Sequence, residues 1–183
     1  MSEFDFDVAP GLPEPLPVGE RILWQGSPLW AAVAVRVLHV RAVALYFAAL
    51  LAWSVWSAIS HGATAMATLG SGARVVAFAA VAIGLLLGFA YLIARTTLYT
   101  ITSRRVVMRI GVALPLTINI PFSLIAAASE HAYPDGTGDF PLTTAGPDRQ
   151  SLVVLWPHVR PWRTVRPEPM LRCVPAHKRC PPF

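Results

Sequence analysis

Between Arg41 and Arg95 the chain carries a single charged residue, Arg74. Two apolar segments lie on either side of it, Ala42–Ile59 and Val75–Ala94. The second, about 20 residues long, would reach about 30 Å as a helix, the thickness of a bilayer's hydrocarbon core. The first, about 18 residues long, is at the short end of that range. Its Tyr46, Trp53 and Trp56 stand where interfacial aromatics would. Ser60–Gly72 reads as a short polar loop between the two. The pattern predicts two antiparallel transmembrane helices over residues 42–94. A soluble helical hairpin would need a large domain around it, and two polar flanks cannot supply one.

The composition agrees: 55% hydrophobic and 14% charged, with Lys+Arg 15 against Asp+Glu 10. Arg36 and Arg41 precede the first segment, Arg95, Arg104, Arg105 and Arg109 follow the second, and the loop side has Arg74. The bias predicts both termini in the cytoplasm. The basic excess then faces anionic headgroups. Lone arginines among apolar residues, with no dense basic tract, argue against nucleic acid as a partner. The acidic start, Glu3, Asp5 and Asp7, lacks the apolar run of a cleavable signal peptide, so the first apolar helix is expected to direct insertion. Cys173 and Cys180 fall on the cytoplasmic side and are expected as thiols.

Residues 1–17 are rich in Pro and acids and read as a disordered arm. Residues 18–41 hold a short strand at Glu20–Gln25, closed by Gly26-Ser27-Pro28, and then Leu29–Val40. That stretch fits either a separate interfacial helix or an early start of the first membrane helix.

Beyond the hairpin the pattern changes to period two. Leu98–Thr102 and Arg105–Ile110 read as a β-hairpin across Ser103-Arg104. Leu114, Leu116, Ile118 and Ile120 alternate with Pro115, Thr117, Asn119 and Pro121, a strand whose prolines favour a sheet edge. Phe122–Ser129, Phe140–Thr144 and Ser151–Trp156 are further expected strands, and Glu168–Cys173 one helical turn. Residues 95–172 thus form a small antiparallel β domain, and 173–183, with prolines at 175, 181 and 182, an irregular tail. The fold class is membrane α + β.

The segments LPVGERILWQGSP and TLYTITSRRVVMRIGVALPLTINIPFSLI carry a resemblance. With Gly19, Glu20, Trp24, Gly26, Pro28, Tyr99, Ile101, Thr102 and Arg105 in place, the chain resembles the bacterial PH-like proteins that split their domain around a membrane hairpin. The Pro-rich start and LWPHVRPWR…RPEPMLR, Leu155 to Arg172, make it similar more narrowly to the PuhB family. That resemblance implies a cytoplasmic PH-like domain and a non-enzymatic role in assembling the reaction centre with its light-harvesting ring in the photosynthetic, intracytoplasmic membrane of purple bacteria. It implies reaction-centre subunits as partners, the cytoplasm-facing H subunit first, beside other assembly factors. It also implies a closing amphipathic helix, which Cys173–Phe183 cannot form.

The candidate site residues follow. Ala80, Gly84 and Gly88 form a small-residue stripe suited to close helix packing, within the hairpin or in a homodimer. Arg95, Arg104, Arg105 and Arg109 could face anionic lipids or an acidic partner surface on an incoming subunit; for Arg95 positive-inside topology is at least as good a reason. His39 and His61 could ligate bacteriochlorophyll brought by partners, although a histidine at a membrane end is more often a simple interfacial residue. No resident cofactor is expected. Cys173, His177 and Cys180 lack structural zinc spacing, and Asp135 and Asp139 lack the EF-hand pattern. No nucleophile elbow is present, so no catalytic residues are assigned. The competing reading is a membrane-anchored lipid- or protein-binding module unrelated to photosynthesis.

Overall fold

A computed structural model describes residues 12, 14–112, 114–145, 155–160 and 167–175. It divides into two compact units, residues 34–91 and the described residues of 1–33 with those of 92–183.

In the second of these, the first sheet is antiparallel in the order β1-β2-β3-β4: Ile22–Gly26, Leu98–Thr102, Arg105–Ile110 and Leu116–Pro121. The expected hairpin across Ser103-Arg104 therefore has the expected bounds. The alternating run becomes β4 at the sheet edge, where Pro115 and Pro121, lacking N–H groups, withdraw nothing from a ladder. The register sets Leu98 opposite Arg109 and Ile110 opposite Leu116. The chain thus enters β2 at the same end of the sheet where β3 turns into β4.

A second sheet is built on β7, Thr137–Thr144, which pairs with β5 (Ile125–Ala128), β6 (His131–Ala132) and β8 (Met170–Pro175). The core lies between the sheets. Tyr99, Ile101, Val106, Met108, Ile118 and Ile120 of the first meet Phe140, Leu142, Leu171 and Val174 of the second, with Trp24 packed against them.

Three local expectations are corrected. Phe122–Leu124 is a 3₁₀ turn and extended pairing starts at Ile125. Leu155 is helical and Trp156 stands in the turn after it, while 151–154 lie outside the described residues. Glu168–Cys173 gives no helical turn: Met170, Leu171, Cys173 and Val174 are buried in β8, whose last residues, Cys173–Pro175, had been read as irregular tail. The strand is favoured because it buries those apolar side chains and because Asp139 captures the Cys173 N–H at 2.7 Å across a bulge. That bond holds Cys173 at φ 55. His177 and Cys180 lie outside the described residues.

The other unit carries α2 (Val40–Ser60) and nearly all of α3 (Ala65–Thr96), after a short α1 (Trp30–Arg36) that leads in from the sheet-bearing unit. His39, in the left-handed region at φ 53, breaks α1 from α2, so the segment before the hairpin is a separate helix. The two long helices have 21 and 32 residues, about 31 and 48 Å. Both are long and apolar enough to cross a membrane. Both are largely exposed along their apolar runs, unlike the mostly buried core helix of a soluble protein.

The connecting loop is much shorter than Ser60–Gly72. The Thr64 hydroxyl accepts the Ala67 N–H at 3.3 Å and starts α3 at Ala65, in the helix-favouring Ala65-Met66-Ala67, and the helix runs on through Gly70 and Gly72. Arg74 therefore sits on α3 and not in a loop.

Candidate functional site

The motif residues that carried the resemblance turn inward. Glu20 lies after a turn at Gly19, φ 84, and is buried. Its Oε1 accepts the Thr102 hydroxyl at 2.6 Å and Arg105 Nε at 2.8 Å, and its Oε2 accepts Arg105 Nη2 at 3.1 Å. The Arg105 bonds, opposed by burial and helped by Thr102, hold the Glu20 carboxyl below its ordinary range. This clamp ties the segment before β1 to the β2–β3 turn. A Cβ on Gly26 would stand 2.5 Å from the Trp24 ring, so Gly26 is what lets the indole lie along its own strand.

A second buried cluster joins the sheets. Tyr99 Oη donates to His158 Nδ1 at 2.6 Å and accepts the Arg172 N–H at 3.2 Å. His158 Nε2 then carries the proton and donates to Thr97 Oγ1 at 3.1 Å. Burial, with the nearby Arg172 charge, pushes the His158 pKa down to about 3, so the ring is neutral at physiological pH. Burial also raises the Tyr99 phenol above its usual range. Beside it, Asp139 accepts Tyr133 Oη at 3.1 Å and faces Arg172 Nε at 3.8 Å. Each of these groups serves the joint between strands.

What faces outward is different. An open cleft of about 680 Å³ lies where α3 runs into β2 and β3 turns toward β4. Arg95 and Arg109 both line it, with Thr97 at its floor and Gly111, Val112 and Pro115 on the hairpin side. On the same hairpin Leu114 is 83% exposed, while Leu116, opposite Ile110, lies on the other face of the sheet from Arg109. Gly111, at φ 108, makes this hairpin, since a Cβ there would collide with the Leu114 carbonyl oxygen.

The structure thus separates the three arginines singled out in the sequence. Arg105 is taken up by Glu20 and is a scaffold residue. Arg104 is exposed at the opposite end of β3 from Arg109. Arg109 is joined instead by Arg95, for which topology had stood as at least as good a reason as lipid or partner contact. The signal that could have paired them is the strand register, because Leu98 opposite Arg109 brings the end of α3 to Arg109.

The small-residue stripe is not used within the hairpin. The partly covered residues of α3, Val75, Ala79, Ala82, Leu86 and Phe89, recur at helical spacing, and Ala80, Gly84 and Gly88 lie on the exposed face. Nothing comes within 4 Å of a Cβ built on Gly84 or Gly88, whereas Gly72 does approach Leu51, at 3.5 Å. His39 and His61 stand at opposite ends of α2, both exposed. Each bonds a backbone carbonyl through Nδ1, that of Val37 at 3.1 Å and that of Ser57 at 2.7 Å. About 30 Å of helix separates them, so they share no site. Among the described residues no group of three His, Cys, Asp or Glu could hold a metal ion.

An antiparallel two-sheet unit whose chain is interrupted by two long apolar helices defines a PH-like domain with a helical insertion. Residues 28–176 match the family described as "Bacterial PH domain", and the chain belongs to that family. It is also 40% identical over 182 residues to an "Uncharacterized 23.7 kDa protein in puhA 5'region" of Rhodobacter capsulatus, an alignment that spans 97% of this chain and 83% of that protein. No solved structure matches.

Proposed function

We propose that this chain is a non-enzymatic assembly factor for a photosynthetic reaction centre with its light-harvesting ring, of the PuhB kind. The observation that carries the reading is the 40% identity, across nearly the whole chain, to a protein encoded beside puhA, the gene of the reaction-centre H subunit. Genes of one complex and of its assembly commonly lie together, and a homologue in that position suggests a shared task.

The geometry supports a holding role. α2 and α3 cross the inner, photosynthetic membrane, with both chain ends on the cytoplasmic side. Arg36 lies before α2, Arg41 stands in its first turn ahead of the apolar run, and Arg95 follows the apolar run of α3, as a positive-inside arrangement asks. The polar groups of the sheet-bearing unit described above are spent on internal joints, which suits a rigid platform better than a reaction. The client is a reaction-centre subunit, the H subunit first. Other assembly factors or a second copy are further partners, and bacteriochlorophyll enters through the client and not as a resident cofactor.

The test is a gentle affinity purification of the full chain from phototrophically grown membranes. Reaction-centre subunits should co-purify in substoichiometric, immature complexes. If pigment absorbance accompanies them, it should survive replacement of His39 and His61. A colourless preparation holding lipid alone, the same from cells that make no pigment, overturns the reading and favours a general membrane-anchored binding module.

A further inference from the structure

We propose that the cleft between the end of α3 and the β3–β4 hairpin seats the phosphate of an anionic phospholipid, with Arg95 and Arg109 as its ligands and the hairpin's Leu114 in the adjoining apolar layer.

Four observations converge. First, the uncharged run of α3 ends at Ala94, and Arg95 is the next residue. If α3 crosses the bilayer, chain continuity alone puts Arg95 at headgroup level. Second, the pairing of Leu98 with Arg109 and of Ile110 with Leu116 fixes the hairpin at the same end of the sheet. Third, the two guanidinium-bearing residues line one cleft of about 680 Å³, within the range of about 300 to 1,000 Å³ usual for ligand sites. Fourth, the hairpin that walls the cleft with Val112 and Pro115 carries Leu114 between them, 83% exposed.

An isolated aqueous surface has little reason to present Leu114 on a hairpin that also walls a cationic cleft. A lipid interface has a reason, because it offers phosphate oxygens and hydrocarbon within a few ångströms of each other. Arginine forks match phosphate geometry, and basic residues at a membrane surface are attracted by anionic lipid. A zwitterionic headgroup returns part of that gain through its own cation. The commitment is to an anionic lipid and against a soluble phosphate, since only the lipid explains both the exposed leucine and the place of Arg95 at the end of an apolar helix. An acidic protein segment would use the arginines but leave Leu114 in water.

The inference rests on the membrane-crossing part of the proposed function and not on the client. In the test, full-length protein in detergent is mixed with phosphatidylglycerol and phosphatidylcholine in equal amounts, and bound lipid is counted by native mass spectrometry. The wild type should retain phosphatidylglycerol about tenfold over phosphatidylcholine. Arg95→Gln with Arg109→Gln should bring the ratio close to one, while Arg104→Gln leaves it unchanged. Both arginines are exposed, and matched unfolding temperatures confirm that the variant is intact. Equal retention of the two lipids by the wild type overturns the proposal. So does a preference that survives in the double variant, or one that excess inorganic phosphate abolishes. Extraction of the wild type from native membranes by alkaline carbonate would instead show that the membrane-crossing reading has failed.

Discussion

Tyr99 and His158, 59 positions apart in the chain, share a 2.6 Å hydrogen bond inside the sheet-bearing unit. The bond joins the first strand after the helical insertion to the turn that precedes β8. The Arg172 N–H donates to the same Tyr99 hydroxyl, so strands from both sheets meet there, and the neutral His158 imidazole bridges it to Thr97.

That imidazole makes the fold acid-sensitive. An unfolded histidine titrates near 6.5, and folded His158 does so at about 3. Between those values the unfolded chain binds a proton that the folded chain does not. Stability is therefore fully present above pH 6.5 and falls as the pH drops through the window, by at most about 1.4 kcal/mol per pH unit. His158→Gln keeps a donor and an acceptor but does not titrate. It should cost about 1 to 2 kcal/mol at neutral pH and flatten the dependence between pH 6.5 and 5, measured as unfolding midpoints in micelles. An unchanged slope in the variant would show that another group sets it.

The Glu20–Arg105 pair should behave as a structural unit. Arg105→Gln leaves a buried carboxylate with Thr102 alone and should destabilise by about 2 to 3 kcal/mol. Glu20→Gln with Arg105→Gln should recover part of that, giving a coupling of about 1 kcal/mol or more in a double-mutant cycle. The carboxyl is held below its ordinary pKa, so its contribution is present above pH 4.5 and is lost as acid protonates it. Phosphatidylglycerol preference should not change in either variant. A loss of lipid preference in Arg105→Gln without loss of stability would return Arg105 to the binding face.

The hairpin at Gly111 is expected to be equally intolerant. Gly111→Ala forces a Cβ into the Leu114 carbonyl at a φ of 108, where L side chains are strained. A cost of about 2 kcal/mol follows, together with a displaced Leu114 and a weaker lipid preference. A variant with unchanged midpoint and unchanged lipid ratio would mean that the hairpin is not held as the glycine implies.

How much of this was legible beforehand depended on the range of the forces involved. β2 and β3 were readable to the residue, because period-two burial and a two-residue turn are local signals. The apolar helices were readable from length and charge, but α3 begins earlier than hydropathy suggests. Its start is set by the Thr64 cap on the Ala65-Met66-Ala67 turn, not by a change in polarity, and the helix continues through Gly70 and Gly72 despite their low propensity. β8 was missed because its burial depends on β7 and on the Asp139 carboxylate, about 30 residues earlier, which nothing in MLRCVP announces. The arginines show the same limit. Sequence marks Arg104 and Arg105 as a conspicuous pair, yet burial assigns Arg105 to Glu20 and register joins Arg109 to Arg95.

The exposed stripe of α3 gives the last prediction. Ala80, Gly84 and Gly88 share an open face, and a Cβ on either glycine meets nothing within 4 Å. Gly84→Leu with Gly88→Leu should therefore leave the unfolding midpoint of the isolated chain unchanged or raise it slightly, because leucine is the better helix former by up to about 1 kcal/mol per site. If α2 and α3 instead closed on each other through the stripe, two leucines would wedge them apart and the midpoint would fall. A neutral midpoint combined with a lower yield of co-purified reaction-centre subunits would assign the stripe to a partner's helix, since small residues allow the close approach that leucines block. A neutral midpoint with full yield would leave it facing lipid.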